Sequence, residues 1–369
     1  MKALCDRKSL LAAFGQVSGV APTKSPKPVL VNAKLECCPD HGSTLIATDL
    51  EVGIRRRVLG VEVDAAGSVL LPPRVQQILA ASAESHVLIE TDETTLHIRA
   101  GKSKFTMPAE DPDLFPDVPR FDAAAYFLAG ASGLGAAIER TAFCTDVQST
   151  RYALGGVLIE MGGGLDLIAT DGRRLAKQEI GAEAKGLPEI KGPVIPVKAL
   201  KLIDRNLDPD GPPALIAFSD KSAMVRTEDA DIYTRLVEGR FPRYQDVFPP
   251  KDAVQVKVEM EVGSLLRATE QAAILTSDES RGVDFRFGGG TLTLSTKAAD
   301  VGAATVELPI GYAGDPVEIT FDPRYLTDAL KALEPTATVT AELIDHKSAA
   351  VFRTEDGYAY VVMPLMRDR

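Results

Sequence analysis

The acidic residues Asp49 and Asp171 are the side chains best placed, by type and position, to do chemistry. Each ends an identical string, LIATD, and a carboxylate in such a place could bind a metal ion or act as a general acid. They hold equivalent places in two copies of one segment, however, which favours a structural turn over a single asymmetric active site. The sequence also contains no phosphate-binding loop, no G-x-S-x-G motif and no H-E-x-x-H motif. We therefore expect no catalytic residue.

The thiols and imidazoles suggest no other chemistry. The chain has four cysteines and four histidines, without a CxxC pair and without clustering. This spacing predicts neither a zinc site nor a disulfide framework, so we expect reduced thiols, no metal and no cofactor.

Composition limits the class of protein. A chain of 369 residues with 45% hydrophobic content can form two or three domains. Its apolar runs are shorter than the roughly 18 residues that a membrane span needs, and the N-terminus lacks the apolar centre of a signal peptide. We therefore expect a cytoplasmic protein without membrane contact. The net charge of −11 confines any DNA contact to a local cationic patch.

The elements that would position these side chains repeat along the chain. LIATD stands at 45–49 and again at 167–171, 122 residues later, and a weaker copy, LTLST, occupies 292–296. Periods of roughly 20 to 50 residues mark solenoids, so a period this long indicates duplicated whole domains. We expect three of them, at 1–121, 122–250 and 251–369.

Each predicted domain contains two helices and several strands. The segment ITFDPRYLTDALKAL changes from an extended pattern to apolar residues at helical spacing, and similar segments surround Pro72 and Pro196. A second helix opens each domain near Leu10, Leu134 and Leu265. Alternating runs such as VLIETDETTLHIRA, bounded by turn residues, predict antiparallel strands. We therefore expect an α+β fold of three tandem units, each packing two helices on antiparallel sheets.

Several strings resemble the beta subunit of bacterial DNA polymerase III, the beta sliding clamp family. They are RYALGGVLIE (151–160), ATDGRRLA (169–176), LVEGRFPRYQDVFP (236–249), EQAAILTSDESRGV (270–283) and YVVMPL (360–365). With the repeat, they span the whole chain. The resemblance implies a non-catalytic processivity factor, in which two chains join head to tail into a six-domain ring around duplex DNA. A head-to-tail joint must close in this way or it grows fibres.

The resemblance also implies which residues join the two chains. In the family the first domain of one chain meets the third domain of the other. Matched by motif, the residues of this joint are Lys102, Lys104, Phe105, Met107, Ile274 and Leu275. The lysines would seek acids, yet where family members often carry an acidic run this chain offers only Asp300 and Glu307. Ordinary domain core is the alternative for Phe105 and Ile274.

DNA contact in a ring requires mobile, sequence-independent binding of phosphate by lysine and arginine. Lys198, Lys201 and Arg205 share one face of a predicted helix, and Arg324 and Lys331 repeat the spacing. Further basic residues on helices are Arg7, Arg140 and Arg267. A solvated face that touches nothing is the alternative. The expected DNA contacts, including family-like positions in two loops, are Lys24, Lys27, Arg74, Gln148, Arg151, Tyr152, Lys198, Lys201, Arg205, Arg324 and Lys331.

In the family, the replicative polymerase, the clamp loader and repair proteins insert a short peptide into an apolar cleft. Apolar walls with a few polar groups suit such a ligand. Read one at a time, these segments also fit ordinary turns and buried strands. The matching residues here are Leu154, Thr170, Gly172, Arg173, Arg174, Leu175, Pro242, Asp246, Val247, Ser280, Asp322, Tyr325, Val361, Val362, Met363, Pro364, Leu365 and Met366.

This chain departs from the family pattern in the cleft. Asp246 stands where a basic residue is common, Ser280 stands where some members have an aromatic residue, and the tail runs on to Arg369. These departures predict a different peptide preference or weaker binding. An enzyme and a repeat scaffold that binds proteins without DNA are the competing classes.

Overall fold

The computed structural model describes residues 1–92, 94–149, 153–186, 192–277, 280–299 and 301–366. Two of the predicted DNA contacts, Arg151 and Tyr152, lie outside these ranges, as do Asp300 and residues 367–369.

The first third of the chain begins with a strand and a helix. Its helices are α1 (Arg7–Val17) and α2 (Arg74–Ala81). Its strands are β1 (Lys2–Asp6), β2 (Ala33–Cys38), β3 (Gly42–Thr48), β4 (Val52–Val58), β5 (Val61–Ala65), β6 (Gly67–Leu71), β7 (His86–Thr91), β8 (Thr95–Ala100) and β9 (Ser103–Pro108).

The middle third repeats this composition. Its helices are α3 (Ala131–Ala142) and α4 (Val197–Arg205). Its strands are β10 (Tyr126–Ala129), β11 (Gly156–Met161), β12 (Leu165–Thr170), β13 (Arg174–Ile180), β14 (Ala182–Lys185), β15 (Val194–Pro196), β16 (Ala214–Phe218), β17 (Ser222–Arg226) and β18 (Ala230–Arg235).

The last third repeats it again. Its helices are α5 (Val262–Ala273) and α6 (Pro323–Lys331). Its strands are β19 (Val256–Glu261), β20 (Val283–Gly288), β21 (Thr291–Ala298), β22 (Gly302–Pro309), β23 (Val317–Phe321), β24 (Thr338–Leu343), β25 (Ala350–Arg353) and β26 (Tyr358–Val362). Short 3-10 turns lie at Pro28–Val31, Pro112–Leu114, Tyr244–Val247 and Lys251–Ala253.

Contacts between residues group the chain into two units. The first unit comprises Met1–Ser132, Ala182–Ile190 and Lys198–Leu236, and the second comprises Gly133–Gly181, Lys191–Val197 and Val237–Arg369. The middle third therefore contributes strands to both units. The predicted domain boundaries near Phe121 and Pro250 stay predictions.

The first unit contains two antiparallel sheets. One has the order β5-β1-β7-β8-β9, and the other has the order β14-β10-β16-β17-β18-β4-β3-β2-β6. In the larger sheet, strands of the first and middle thirds pair through β4 and β18, with Ile54 opposite Ile232. This pairing removes two exposed sheet edges at once.

The second unit has the same design. Its sheets have the orders β15-β11-β12-β13-β26-β25-β24-β19 and β22-β21-β20-β23, and all pairs are antiparallel. Here β13 pairs with β26, placing Gln178 opposite Tyr358. The repeated strings LIATD and LTLST lie on β3, β12 and β21, each of which is the middle strand of three consecutive strands. The repeat seen in the sequence is thus a repeat of topology.

Helix formation follows local signals in the sequence. Asp6 caps α1 by accepting a hydrogen bond from the Ser9 backbone N–H at 2.8 Å, and Asp322 caps α6 in the same way, with Pro323 in the first turn. Each helix buries its apolar stripe, as α1 does with Leu10 and Phe14. α1 packs against α2, and α5 packs against α6. The predicted α+β class, with helices on antiparallel sheets, is confirmed.

No helix in the described part of the chain is long and apolar enough to cross a membrane.

Candidate functional site

A tight turn after β12 shapes the candidate site. Thr170 Oγ1 accepts a hydrogen bond from the Gly172 N–H at 3.1 Å and donates one to the Arg174 carbonyl at 2.7 Å. Asp171 Oδ1 accepts from the N–H groups of Arg173 and Arg174 at 2.9 and 3.1 Å. Gly172 has a φ of 87°, which glycine adopts without a steric cost. The Asp171 carboxylate is therefore occupied by its own turn, in agreement with a structural role.

Arg174 fixes the wall beside this turn. Its Nε donates to Asp171 at 2.9 Å, its Nη1 to Asp328 at 2.7 Å and its Nη2 to the Phe143 carbonyl at 3.2 Å. The guanidinium also lies over the Tyr325 ring, 4.7 Å from its centroid. Burial opposes the charged form, but the hydrogen bonds to carboxylates hold the Arg174 pKa above its ordinary value. Arg174 is therefore a rigid, permanently charged part of the wall.

The neighbouring Arg173 is exposed to solvent. Its side chain is held by a single long hydrogen bond within the described residues, which Nη1 donates to the Tyr325 hydroxyl at 3.4 Å. Tyr325 lies on α6. Its backbone carbonyl accepts a hydrogen bond from the hydroxyl of Tyr360 at 2.7 Å. Arg173 can therefore turn toward a ligand, whereas Arg174 cannot.

A cleft of about 640 Å³ opens beside the turn, within the second unit. Drug-sized and peptide ligands occupy clefts of this size. The structure brings together these residues that the sequence had assigned to one site: Leu154, Thr170, Gly172, Arg173, Arg174, Leu175, Pro242, Asp246, Val247, Val361 and Met363.

A buried cluster forms the floor under the cleft. Leu158, Ile168 and Val351 pack with Leu175 and Val361, so the floor rests on strands β11, β12, β13, β25 and β26. Tyr244 joins the cluster, and its hydroxyl donates to Glu160 at 2.5 Å. Burial and the Glu160 carboxylate raise the pKa of Tyr244 above its ordinary value, so it stays neutral. The floor of the cleft is therefore a packed hydrophobic core.

Apolar side chains remain exposed in the cleft. Val247 is 39% exposed and Met363 is 44% exposed, although both line the same opening. Exposed apolar groups gathered in one concave surface mark a place where a ligand binds.

Other predicted residues do not line the cleft. Ser280 donates to the Lys297 carbonyl at 3.1 Å, and the buried Asp322 caps α6. The Tyr325 ring packs on the Arg174 guanidinium. Val362 is fully buried and, as the neighbour of Val361 along β26, faces the side of the sheet opposite the cleft floor. Residues 364–366 follow β26, with the Leu365 N–H donating to the Thr320 carbonyl at 2.8 Å. Ser280, Asp322, Tyr325, Val362, Pro364, Leu365 and Met366 are not among the residues around this cleft, and their part in one peptide site stays a prediction.

The sequence reading also missed part of the lining. Some missed residues belong to a string that had been singled out, LVEGRFPRYQDVFP, and a contiguous reading of it would have found them. They are Arg243, Tyr244, Phe248 and Pro249, with Pro250 next to them. The others lie in the connection from β24 to β25 and gave no local signal. They are Ile344, Lys347, Ser348 and Ala349.

The basic face of α4 forms as expected. Lys198, Lys201 and Arg205 are exposed, while Leu200 and Ile203 on the other face are buried. The other described members of the predicted DNA-contact set are exposed as well, namely Lys24, Lys27, Arg74, Gln148, Arg324 and Lys331.

Two other arginines of the helices have structural partners instead. Arg7 donates to the Glu84 carbonyl at 2.7 Å and to the Leu79 carbonyl at 3.0 Å, where it satisfies the C-terminal end of α2. Arg140 binds Gln178 at 2.8 Å and Asp356 at 2.6 Å. Arg7 and Arg140 are half-buried, unlike the exposed cations of α4, and their membership of the cationic surface stays a prediction.

Two residues of the predicted chain-to-chain joint are exposed. Phe105 lies on the edge strand β9 and is 37% exposed, and Ile274 follows α5 and is 72% exposed. Lys102 and Lys104 are also exposed. Domain core, the alternative for Phe105 and Ile274, does not fit these exposures.

Within the described ranges, no group of three or more His, Cys, Asp or Glu side chains is arranged to hold a metal ion. All four cysteines fall in those ranges and are free thiols.

Comparison with known families covers nearly all of the chain. Residues 1–119, 131–243 and 245–366 match the N-terminal, central and C-terminal domains of the DNA polymerase III beta subunit. The beta sliding clamp of Pseudomonas aeruginosa is 30% identical over 365 residues, covering 98% of each chain. The chain belongs to the DNA polymerase III beta subunit family. The beta sliding clamp of Chlamydia muridarum is 29% identical over 369 residues, covering 99% of each chain.

Solved structures of this clamp family have the same fold. A crystal structure of the Pseudomonas aeruginosa sliding clamp bound to griselimycin superimposes with a TM-score of 0.90 at 30% identity, covering 100% of both chains. The Bartonella birtlesii clamp, also bound to griselimycin, gives a TM-score of 0.90 at 25% identity over the same coverage. Three clamp domains in one chain are therefore shown, and membership of this family of processivity factors confirms that the chain is not an enzyme.

Proposed function

We propose that two copies of this chain close head to tail into a ring around duplex DNA and that the ring tethers replication and repair proteins through the cleft. The sliding-clamp function follows from the family. One observation supports the proposed ring and the proposed role of the cleft most strongly: the fold matches solved clamps over the full length of the chain.

The proposed joint between chains uses two sheet edges. β9 is the edge of the smaller sheet in the first unit, and β22 is the edge of the smaller sheet in the second unit. An edge strand offers unpaired N–H and C=O groups that a second chain can complete. Phe105 and Met107 of one copy would meet Ile274 and Leu275 of the other. Lys102 and Lys104 make no ion pair within the described residues, and Glu307, exposed on β22, is an acid that one of them can reach across the joint.

The proposed DNA surface is cationic and mobile. Lysines and arginines on α4 and α6 would touch phosphates without reading bases, so each contact is weak and replaceable by the next phosphate. Topology rather than affinity would then retain the ring on DNA.

The proposed ligand of the cleft is a short peptide from the replicative polymerase, the clamp loader or a repair protein. Exposed apolar walls would bind its apolar side chains, and the cations at the rim would bind its polar groups. Relatives from Pseudomonas aeruginosa and Bartonella birtlesii bind griselimycin, which therefore provides a probe. We further propose that the protein acts in the cytoplasm, with domains at 1–121, 122–250 and 251–369.

The test is topological. The clamp is loaded onto nicked circular DNA, and its retention is followed before and after the circle is cut once. The proposal expects retention on the circle and loss on the linear product. Equal retention on both forms would identify an ordinary binder, and no retention on either would identify a scaffold.

A further inference from the structure

The cations on the proposed DNA surface do not all have the same surroundings. Three of them form ion pairs with carboxylates of their own unit: Lys198 with Asp49, Arg324 with Asp322 and Lys331 with Glu270. For Lys24, Lys27, Arg74, Lys201 and Arg205, no ion pair exists within the described residues. The surface therefore contains occupied and unoccupied cations.

The Lys198 pair is held by the turn of the first LIATD copy. Asp49 Oδ1 accepts from the N–H groups of Glu51 and Val52 at 3.0 and 2.7 Å, which fixes the carboxylate. Its other oxygen, Oδ2, accepts from Lys198 Nζ, which also donates to the Val20 carbonyl at 3.2 Å. The lysine is nevertheless 46% exposed, so a phosphate can reach it.

The Arg324 pair is built in the same way. The Asp322 carboxylate is fixed as the cap of α6, where Oδ1 accepts from the Arg324 N–H at 3.0 Å. The Arg324 guanidinium then binds both oxygens, with Nε at 3.0 Å from Oδ1 and Nη2 at 2.6 Å from Oδ2. The carboxylate is 5% exposed and the guanidinium side chain is 64% exposed. In each unit, therefore, a carboxylate held by backbone N–H groups binds an exposed cation: Asp49 binds Lys198, and Asp322 binds Arg324.

The third pair is looser. Lys331 Nζ lies 3.0 Å from Glu270 Oε1, and the two side chains are 59% and 45% exposed. No backbone N–H fixes the Glu270 carboxylate among the described hydrogen bonds. Exposed pairs of this type are weak and readily exchanged.

We propose that Asp49 and Asp322 act as built-in competitors of DNA phosphate, holding Lys198 and Arg324 in place while weakening their grip on the duplex. The inference rests on the proposed DNA surface. A phosphate that takes Lys198 or Arg324 must displace a fixed carboxylate, so it exchanges one anion for another. The freed carboxylate then takes up a cation as the phosphate gives one up. Net counterion release, and with it the salt dependence of binding, is smaller than the number of cations suggests.

Amide substitutions test this without removing the local structure. The variants are Asp49→Asn, Asp322→Asn and the double variant. Each substitution removes the negative charge, but an asparagine oxygen at the same position still accepts the backbone hydrogen bonds of a turn or a helix cap. The matched control is Asp64→Asn, which removes one charge from an ion pair with Lys2 on the neighbouring strands β5 and β1, neither of which carries a predicted DNA contact.

The readout is binding of full-length clamp to a short fluorescent duplex by anisotropy across a salt series. Each test variant is expected to bind several-fold more tightly at low salt, with a log–log salt slope steeper by up to about 0.9 for each competing carboxylate removed. Asp64→Asn should follow the wild type. Unchanged or weaker binding by both test variants, or an equal gain in the control, would overturn the proposal.

A second readout separates this inference from the proposed function. Wild-type clamp is loaded on nicked circular DNA, and its loss on linearisation is measured as above. If the clamp is not lost on linearisation, the proposed ring is wrong. The comparison of salt slopes between variants would still decide whether the carboxylates compete with phosphate.

Discussion

Leu50 and Gly172 occupy the same position in two copies of one turn, with φ values of 80° and 87°. Thr48 Oγ1 accepts from the Leu50 N–H at 3.0 Å and donates to the Val52 carbonyl at 2.9 Å, as Thr170 does with Gly172 and Arg174. In the described part of the chain, Leu50 is the non-glycine residue with positive φ. The first copy thus keeps a left-handed turn with a residue that is strained in it.

Replacing Leu50 by glycine should stabilise the protein. The left-handed conformation costs an L-residue roughly 1–2 kcal/mol, and the greater freedom of glycine in the unfolded chain offsets part of that gain. We expect an increase of about 0.5–1 kcal/mol in the free energy of unfolding, measured by urea denaturation. The control is the reverse substitution in the second turn, Gly172→Leu, which should lower the free energy of unfolding by about 1 kcal/mol. Because no atom lies within 4 Å of an added Cβ at Gly172, that loss would come from the backbone. A urea midpoint of Leu50→Gly below that of the wild type would contradict this account.

The adjacent arginines of the second turn should respond differently to one substitution. Arg174→Lys keeps the charge but loses the fork that binds Asp171 and Asp328 and the stacking on Tyr325. We expect a loss of about 1–2 kcal/mol in the free energy of unfolding. Arg173→Lys is the matched control and should change it by less than about 0.5 kcal/mol, because Arg173 is exposed. Equal effects of the two substitutions would show that the Arg174 contacts contribute nothing.

Local and repeated features of the sequence predicted much of this structure. The 122-residue spacing of LIATD located equivalent strands, and the proline-initiated segments located α2, α4 and α6. The resemblance to the family predicted residues around the cleft where they lie in a string that matches the family, as for Thr170 and Gly172. In contrast, Lys347 and Ile344 enter the cleft from a connection whose path is set by tertiary packing. The roles of Arg7 and Arg140 were missed for the same reason, since a long side chain chooses partners that are distant in sequence.

A charge placed on an apolar cleft wall should abolish ligand binding without unfolding the protein. Val247→Asp puts a carboxylate on a side chain that is 39% exposed, so folding tolerates it, while a bound apolar group would have to desolvate it. We expect griselimycin affinity, measured by calorimetry, to fall by at least about tenfold. Val147→Asp, at a valine that is 70% exposed outside the cleft, is the control and should bind as the wild type does. Full affinity in Val247→Asp would place the ligand elsewhere.

Charges at the proposed joint should separate the two chains. Phe105→Glu and Ile274→Glu each bury a carboxylate if the joint forms as proposed, and neither residue is in a domain core, so the monomer should remain folded. We expect the mass at micromolar concentration, measured by sedimentation, to change from that of a dimer to that of a monomer. Leu114→Glu alters an apolar residue that is 68% exposed and lies in the 3-10 turn that contacts β6 of the larger sheet, so it should leave the dimer intact. A dimer in all three variants would place the interface on another surface.

Acid should remove a defined part of the stability through Asp322. Burial alone would raise the pKa of this carboxyl, but hydrogen bonds from the Arg324 guanidinium and backbone N–H outweigh it and hold the pKa below its ordinary value. A carboxyl with a pKa depressed by folding stabilises the native state above its unfolded pKa and loses that contribution as the pH falls through the folded value. Asp322→Asn keeps the helix cap and does not titrate. The difference in unfolding free energy between wild type and variant should therefore be constant near neutrality and shrink as the pH falls below about 4. Urea denaturation at a series of pH values measures it, and a difference that stays constant through that range would mean that Arg324 does not perturb Asp322.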